Sequence, residues 1–260
     1  YPLILVALAI TSLAGCAQRS TLPVDTSAAD ALAARPTIDP VGSVTLVTSQ
    51  MRDQNLANDA LGTRIDIGIV PFTTRESEAI NTAFGDWIFD EIKQKETQFL
   101  PHLLGKALIE SDLWGAVRVV PEADPSLVLT IRGEIISSTG LDLAIHINAT
   151  DSSGRVWLSQ DYADIAQLSD YPESTRFTYG NRFDGANAID PFHDLYKQVA
   201  NDLLAQRDSL SAERLAEILQ IADLVYARDL SPERFANTLA EDEEGLLQLV
   251  TLPAADDPML

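Results

Sequence analysis

Residue type singles out four side chains for nucleophilic or acid–base chemistry in this 260-residue sequence: one cysteine, Cys16, and three histidines, His102, His146 and His193. A thiol reacts as its thiolate and is the strongest nucleophile of the set. Cys16 directly follows Leu13-Ala14-Gly15 and the apolar run Leu3-Ile4-Leu5-Val6-Ala7-Leu8-Ala9-Ile10. A run of that length fits the apolar core of an export signal and is too short to span a bilayer, which takes about 20 apolar residues. The histidines stand isolated from one another, and neither Gly-x-Ser-x-Gly nor His-Glu-x-x-His occurs. Gly105-Lys106 lacks the upstream glycine and the following hydroxyl of a phosphate-binding loop. The sequence therefore predicts no catalytic residue, no metal site and no cofactor. A carboxylate enzyme is the catalytic class that missing motifs leave open, because paired Asp or Glu have no fixed spacing.

Leu13-Ala14-Gly15-Cys16 resembles the lipobox of bacterial lipoproteins. The resemblance implies cleavage between Gly15 and Cys16, acylation of the Cys16 sulfur, and a mature chain anchored to lipid without spanning it. Two or more acyl chains make such attachment stable. Ala17 stands where an aspartate would signal inner-membrane retention, so the same resemblance implies the outer membrane, with the folded part facing the periplasm. The opening at Tyr1, without a charged segment ahead of the apolar run, reads as a missing N-terminal end, and the stop at Leu260 suggests the same for the C-terminus.

Eighteen basic residues against 39 acidic ones leave a formal net charge of −21. Such a surface repels phosphate backbones, which sets nucleic acid aside as a partner. It also opposes adhesion to anionic lipid other than through an acyl anchor. With one cysteine no internal disulfide can form, so stability must come from packing.

Residues 17–42 are rich in Ala, Ser, Thr, Asp and Pro without an apolar period, and read as a tether of roughly 25 to 30 Å root-mean-square span. Alternation of Ile65, Ile67 and Ile69 with polar or small residues predicts a first strand over 64–72. Phe84, Trp87, Ile88 and Ile92 share one helical face. A second helix is expected to start at Pro101, bury Leu100, Leu103, Leu104, Ala107 and Leu108, and stop near Trp114-Gly115. Short strand 117–120 ends at Pro121. Strands 127–136 and 141–150, with a third reaching 163, read as an antiparallel meander, with Leu141, Leu143, Ile145, Ile147 and Ala149 inward. Thr130, Arg132, Glu134, His146, Asn148 and Thr150 then face water or a partner.

Residues 167–189 have no period and hold Tyr171, Phe177, Tyr179 and Phe183, aromatics suited either to recognition or to fastening the loop on the sheet. Asp190-Pro191 is read as an N-cap and first helical position, ahead of a buried stripe of Phe192, Leu195, Val199 and Leu203. Ser211 and Ser231 are each placed to cap a following helix. Glu241-Asp242-Glu243-Glu244 reads as a solvated turn.

Segments 64–72 and 100–114 and the run Asp124-Pro125-Ser126-Leu127-Val128-Leu129-Thr130-Ile131-Arg132-Gly133-Glu134-Ile135, followed by Asp151-Ser152-Ser153-Gly154-Arg155-Val156-Trp157, resemble the N-terminal domain of TolB. Similar modules occur in curli-secretion and transport-auxiliary lipoproteins. The resemblance implies a module that docks onto other envelope proteins and catalyses nothing; the long polar segment between Thr73 and Gln98 departs from it. The expected class is α+β: a small α/β sandwich with a mostly antiparallel sheet, then a C-terminal helical hairpin or bundle. Expected divisions are a signal peptide over 1–15, lipidated Cys16 and tether over 16–42, the TolB-like domain over 43–166, the aromatic loop over 167–189 and a helical region over 190–260. The expected function is a lipid-anchored accessory protein that binds outer-membrane lipid through Cys16 and docks onto envelope proteins. Its candidate partner surface is Arg132, Glu134, His146, Tyr171, Phe177, Tyr179 and Phe183. The alternative is a lipoprotein that binds glycan or a small molecule.

Overall fold

The computed structural model describes residues 38–53, 64–75, 90–139, 141–166 and 190–252. Cys16, the expected tether as far as residue 37, the stripe from Phe84 to Ile88 and the aromatic loop lie outside them; the last expected tether residues, 38–42, are described, and Val41 N donates to Ala163 O at 2.8 Å, so the folded part begins before residue 43. The described chain runs α1 (Ser49–Asp53), β1 (Ile67–Ile69), β2 (Thr73–Thr74), α2 (Asp90–Ser111), β3 (Val117–Val119), β4 (Leu129–Ser138), β5 (Asp142–Asp151), β6 (Val156–Ile165), α3 (His193–Ser209), α4 (Ala212–Leu230), α5 (Pro232–Phe235), β7 (Leu239–Glu241) and β8 (Leu247–Leu249).

Six strands form one sheet in the order β3-β1-β4-β5-β6, with β2 also beside β4. The meander β4-β5-β6 is antiparallel as expected, but β1 runs parallel to both β3 and β4, and β2 runs parallel to β4. The sheet is therefore mixed, and the class is α+β. Parallel pairing follows from connectivity: helix α2 carries the chain from β2 across the sheet to β3, and a crossover of that kind returns a strand in the same direction.

Helices α2 and α3 cover one face of this sheet. Ile65, Ile67, Ile69, Leu129, Ile131, Ile145 and Ile147 meet Leu104, Leu108, Leu195, Val199 and Leu203 in one apolar core. Alternation along the strands and spacing of three and four along the helices produce that layer. Helix α3 packs on α2 and β6 and so completes the sandwich. Leu141 is an exception to the expected inward set: it sits in the β4–β5 turn and is 59% exposed.

Pro101 lies inside α2 and does not start it. Proline has no N–H to give to the carbonyl four residues back. Here that carbonyl, on Thr97, accepts from Phe72 N at 2.8 Å, so the helix interruption becomes an attachment point for the β1–β2 join. The Phe72 ring then lies over Gly133 of β4, where a Cβ would come within 2.6 Å of it.

The C-terminal end departs from the all-helical expectation. Ser211 caps α4 by accepting from Arg214 N at 3.2 Å, but Ser231 makes no side-chain cap, because its N–H closes α4 on Ala227 O and the four-residue α5 begins at once. Asp190 lies three residues before the first residue of α3, His193, and its carboxylate accepts from Phe192 N at 2.8 Å. After α5 the chain forms the antiparallel pair β7–β8. Asp242 Oδ1 accepts from Glu244 N and Leu246 N, and Gly245 takes a φ of 81°, so the acidic run is the turn of a β-hairpin. Ile221, Leu224, Ala227, Phe235 and Leu239 make a second apolar cluster beneath it. Among the described residues no helix is long and apolar enough to cross a membrane.

Candidate docking face and adjoining cleft

No described helix packs on the second face of the meander, and pairing across β4, β5 and β6 lays its side chains out in rungs. Arg132 pairs with Asn148, which pairs with Ser159; Glu134 pairs with His146, which pairs with Asp161. Arg132, Glu134 and His146 of the expected surface are thus brought together on one open face. Tyr171, Phe177, Tyr179 and Phe183, together with Gly15 and Cys16, lie outside the described residues.

Three residues that the sequence did not single out complete the face. Arg75, just past β2, donates to Glu134 Oε2 from Nη2 at 2.5 Å and from Nε at 3.0 Å. This hydrogen bond raises the Arg75 guanidinium above its ordinary value, against a small opposing cost of burial. Asp161 Oδ1 lies 2.6 Å from His146 Nδ1, and Ser159 Oγ lies 3.4 Å from His146 Nε2. Alternation along β6 could have placed Ser159 and Asp161; the Arg75 contact depends on β2 reaching β4.

Serine at one imidazole nitrogen and aspartate at the other is the connectivity of an acyl-transfer triad. Ser159 and Asp161 are exposed on an open sheet face, where water competes for each donor and screens the charge that acyl transfer must stabilise. Among the described residues no group of three His, Cys, Asp or Glu could hold a metal ion.

At one end of this face the tight turn from β5 to β6 gathers the C-terminal region. Asp151, 5% exposed, accepts from Ser153 N, Ser153 Oγ and Arg155 N on one oxygen and from Trp157 Nε1 on the other. Ser152 Oγ donates to Ile218 O of α4 at 2.7 Å, Arg214 Nη2 donates to Ser153 Oγ at 2.8 Å, and Leu247 N of β8 donates to Ser153 O at 2.8 Å. Helix α4 and the hairpin are thereby fixed to the sheet. Between the hairpin, the 123–127 loop and the first rungs of β4 and β5 lies a cleft of about 340 Å³, bordered by Thr130, Arg132, Arg228, Glu241 and Leu247. Thr130 points to the open face, yet is only 7% exposed.

No known family matches the chain. No curated protein matches it either. Among solved structures, a hypothetical protein from Chlamydia trachomatis, determined at 1.65 Å, is similar over 56% of this chain and 96% of its own length, at 11% identity and a TM-score of 0.32. A likeness of that degree carries no argument, so the functional reading rests on this chain's own residues.

Proposed function

We propose that the chain is a non-catalytic lipoprotein, acylated at Cys16 on the outer membrane and facing the periplasm, whose module docks onto a cell-envelope complex. The address rests on Leu13-Ala14-Gly15-Cys16 and the apolar run before it; the module is read as a relative of the TolB N-terminal domain on the sequence resemblance of 124–135 and 151–157. The observation that carries the docking part is the open face of the meander, where Arg132, Glu134 and His146 stand in neighbouring rungs with no described helix over them. Exposed contacts such as the Arg75–Glu134 ion pair and the His146–Asp161 hydrogen bond contribute at most about 1 kcal/mol each to folding. A partner that desolvates them and matches their charge pattern would gain specificity from them.

In-cell crosslinking of the native chain, followed by mass spectrometry, tests this reading. The expected result is reproducible crosslinks from the β4–β6 face to one envelope assembly, lost in Cys16→Ala, which removes the acylation site, and in an Arg132→Glu, His146→Glu double variant. Absence of any protein partner from the native chain would overturn it.

A further inference from the structure

We propose that docking through the open face is switched on by protonation of His146, and that the partner presents carboxylates to it; the inference rests on the docking reading above.

Strand pairing sets His146 between two carboxylates. Glu134 of β4 and Asp161 of β6 flank it in one rung, and its neighbours along β5 on the same face, Ala144 and Asn148, are uncharged. Arg75, just past β2, pairs with Glu134 and lies within electrostatic reach of Asp161. Arg132 stands in the next rung, opposite the uncharged Asn148 and Ser159. With both carboxylates counted as charged, Arg75, Arg132, Glu134 and Asp161 sum to zero. Protonation of His146 therefore takes its surroundings from neutral to one positive charge, on a chain whose formal charge is −21.

The proton also changes what the ring offers. A carboxylate only accepts, so the 2.6 Å contact with Asp161 Oδ1 requires the neutral ring to carry its hydrogen on Nδ1. Nε2 is then an acceptor, 3.4 Å from Ser159 Oγ, on a side chain that is 30% exposed. In the imidazolium both nitrogens donate. The same edge of the ring thus turns from acceptor to donor, beside the Arg132 rung. Glu134 is then matched by Arg75 and Asp161 by the imidazolium, which leaves Arg132 and Nε2–H as the groups a partner can complement. Carboxylates fit both.

Histidine ordinarily changes charge between about pH 5 and 8. His102 and His193 belong to α2 and α3, the helices that cover the opposite face of the sheet, so His146 is the histidine placed to act on docking.

Photo-crosslinking from a benzophenone side chain at Val156, an exposed residue at the end of the open face, tests the proposal in membranes carrying the full chain, at about pH 5.5 and about pH 7.5. The crosslink to the envelope partner should be stronger at the lower pH by about two- to fivefold. His146→Gln, which stays neutral, should hold the yield at its higher-pH level throughout, while His102→Gln, at an exposed position on α2, should keep the native pH dependence. Equal yields at both pH values, a stronger crosslink at the higher one, or a pH dependence that survives His146→Gln would overturn the switch and leave the docking reading intact. A crosslink absent at both pH values would overturn the docking reading and the switch with it.

Discussion

Trp157 Nε1 donates to Asp151 Oδ2 at 2.9 Å, so the indole that follows the β5–β6 turn also closes it. The sequence pattern Asp-x-x-Gly-x-Val-Trp has a mechanical explanation in this bond: the aspartate gathers the turn's N–H groups, and the tryptophan satisfies the oxygen they leave free. Asp151→Ala would strand several donors at a buried site and should cost about 2–4 kcal/mol. Trp157→Phe, which keeps most of the ring and removes one donor, should cost about 1–2 kcal/mol. Urea unfolding followed by circular dichroism measures both.

Gly133→Ala places a methyl within 2.6 Å of the Phe72 ring. Overpacking of this kind should cost about 1–3 kcal/mol. Phe72→Leu made in the same chain should return part of that cost, giving a coupling energy in a double-mutant cycle where two independent sites would simply add.

Burial holds the Asp164 carboxyl above the ordinary aspartate range, although Ile165 N donates to it at 2.8 Å. With the folded-state value raised, the folded chain binds more protons than the unfolded one once pH passes the ordinary value of 3.8. Stability therefore falls as pH rises through the window between the ordinary and the raised value, and the loss persists above it. Asp164→Asn keeps an acceptor for Ile165 N and removes the charge. It should stabilise the protein at about pH 7 and have no effect at about pH 3. Unfolding midpoints across that range give the sign directly.

Pro101→Ala restores an N–H that would compete with Phe72 N for the Thr97 carbonyl. The gain should be about 1 kcal/mol, well short of the roughly 3 kcal/mol propensity difference, because the carbonyl is already satisfied. Hydrogen exchange at the Phe72 amide should quicken, and unchanged protection there would count against the attachment role.

Ser159→Ala should leave hydrolysis of an activated ester, such as p-nitrophenyl acetate, at the level of the native chain. A loss of Ser159-dependent turnover would instead make the Ser159–His146–Asp161 contacts catalytic and end the non-catalytic reading.

Local physics was legible in the sequence wherever a single element decides its own outcome. Alternation along 127–150 fixed which side of β4 and β5 is buried, so Arg132, Glu134 and His146 could be placed on one open face before any contact was known. Spacing of three and four did the same for Leu104 and Leu108 of α2 and for Leu195, Val199 and Leu203 of α3. Tertiary structure decided what depends on chain segments far apart. The parallel direction of β1 follows from where α2 crosses the sheet. The role of Pro101 follows from Phe72 reaching its orphaned carbonyl, and Arg75 meets Glu134 only because β2 lies beside β4. The cleft is the clearest case. Arg132 and Arg228 are 96 residues apart in sequence, and nothing in their local patterns relates them. Three hydrogen bonds at the Asp151 turn bring α4 and the C-terminal hairpin over the sheet's end, and with them comes the second guanidinium.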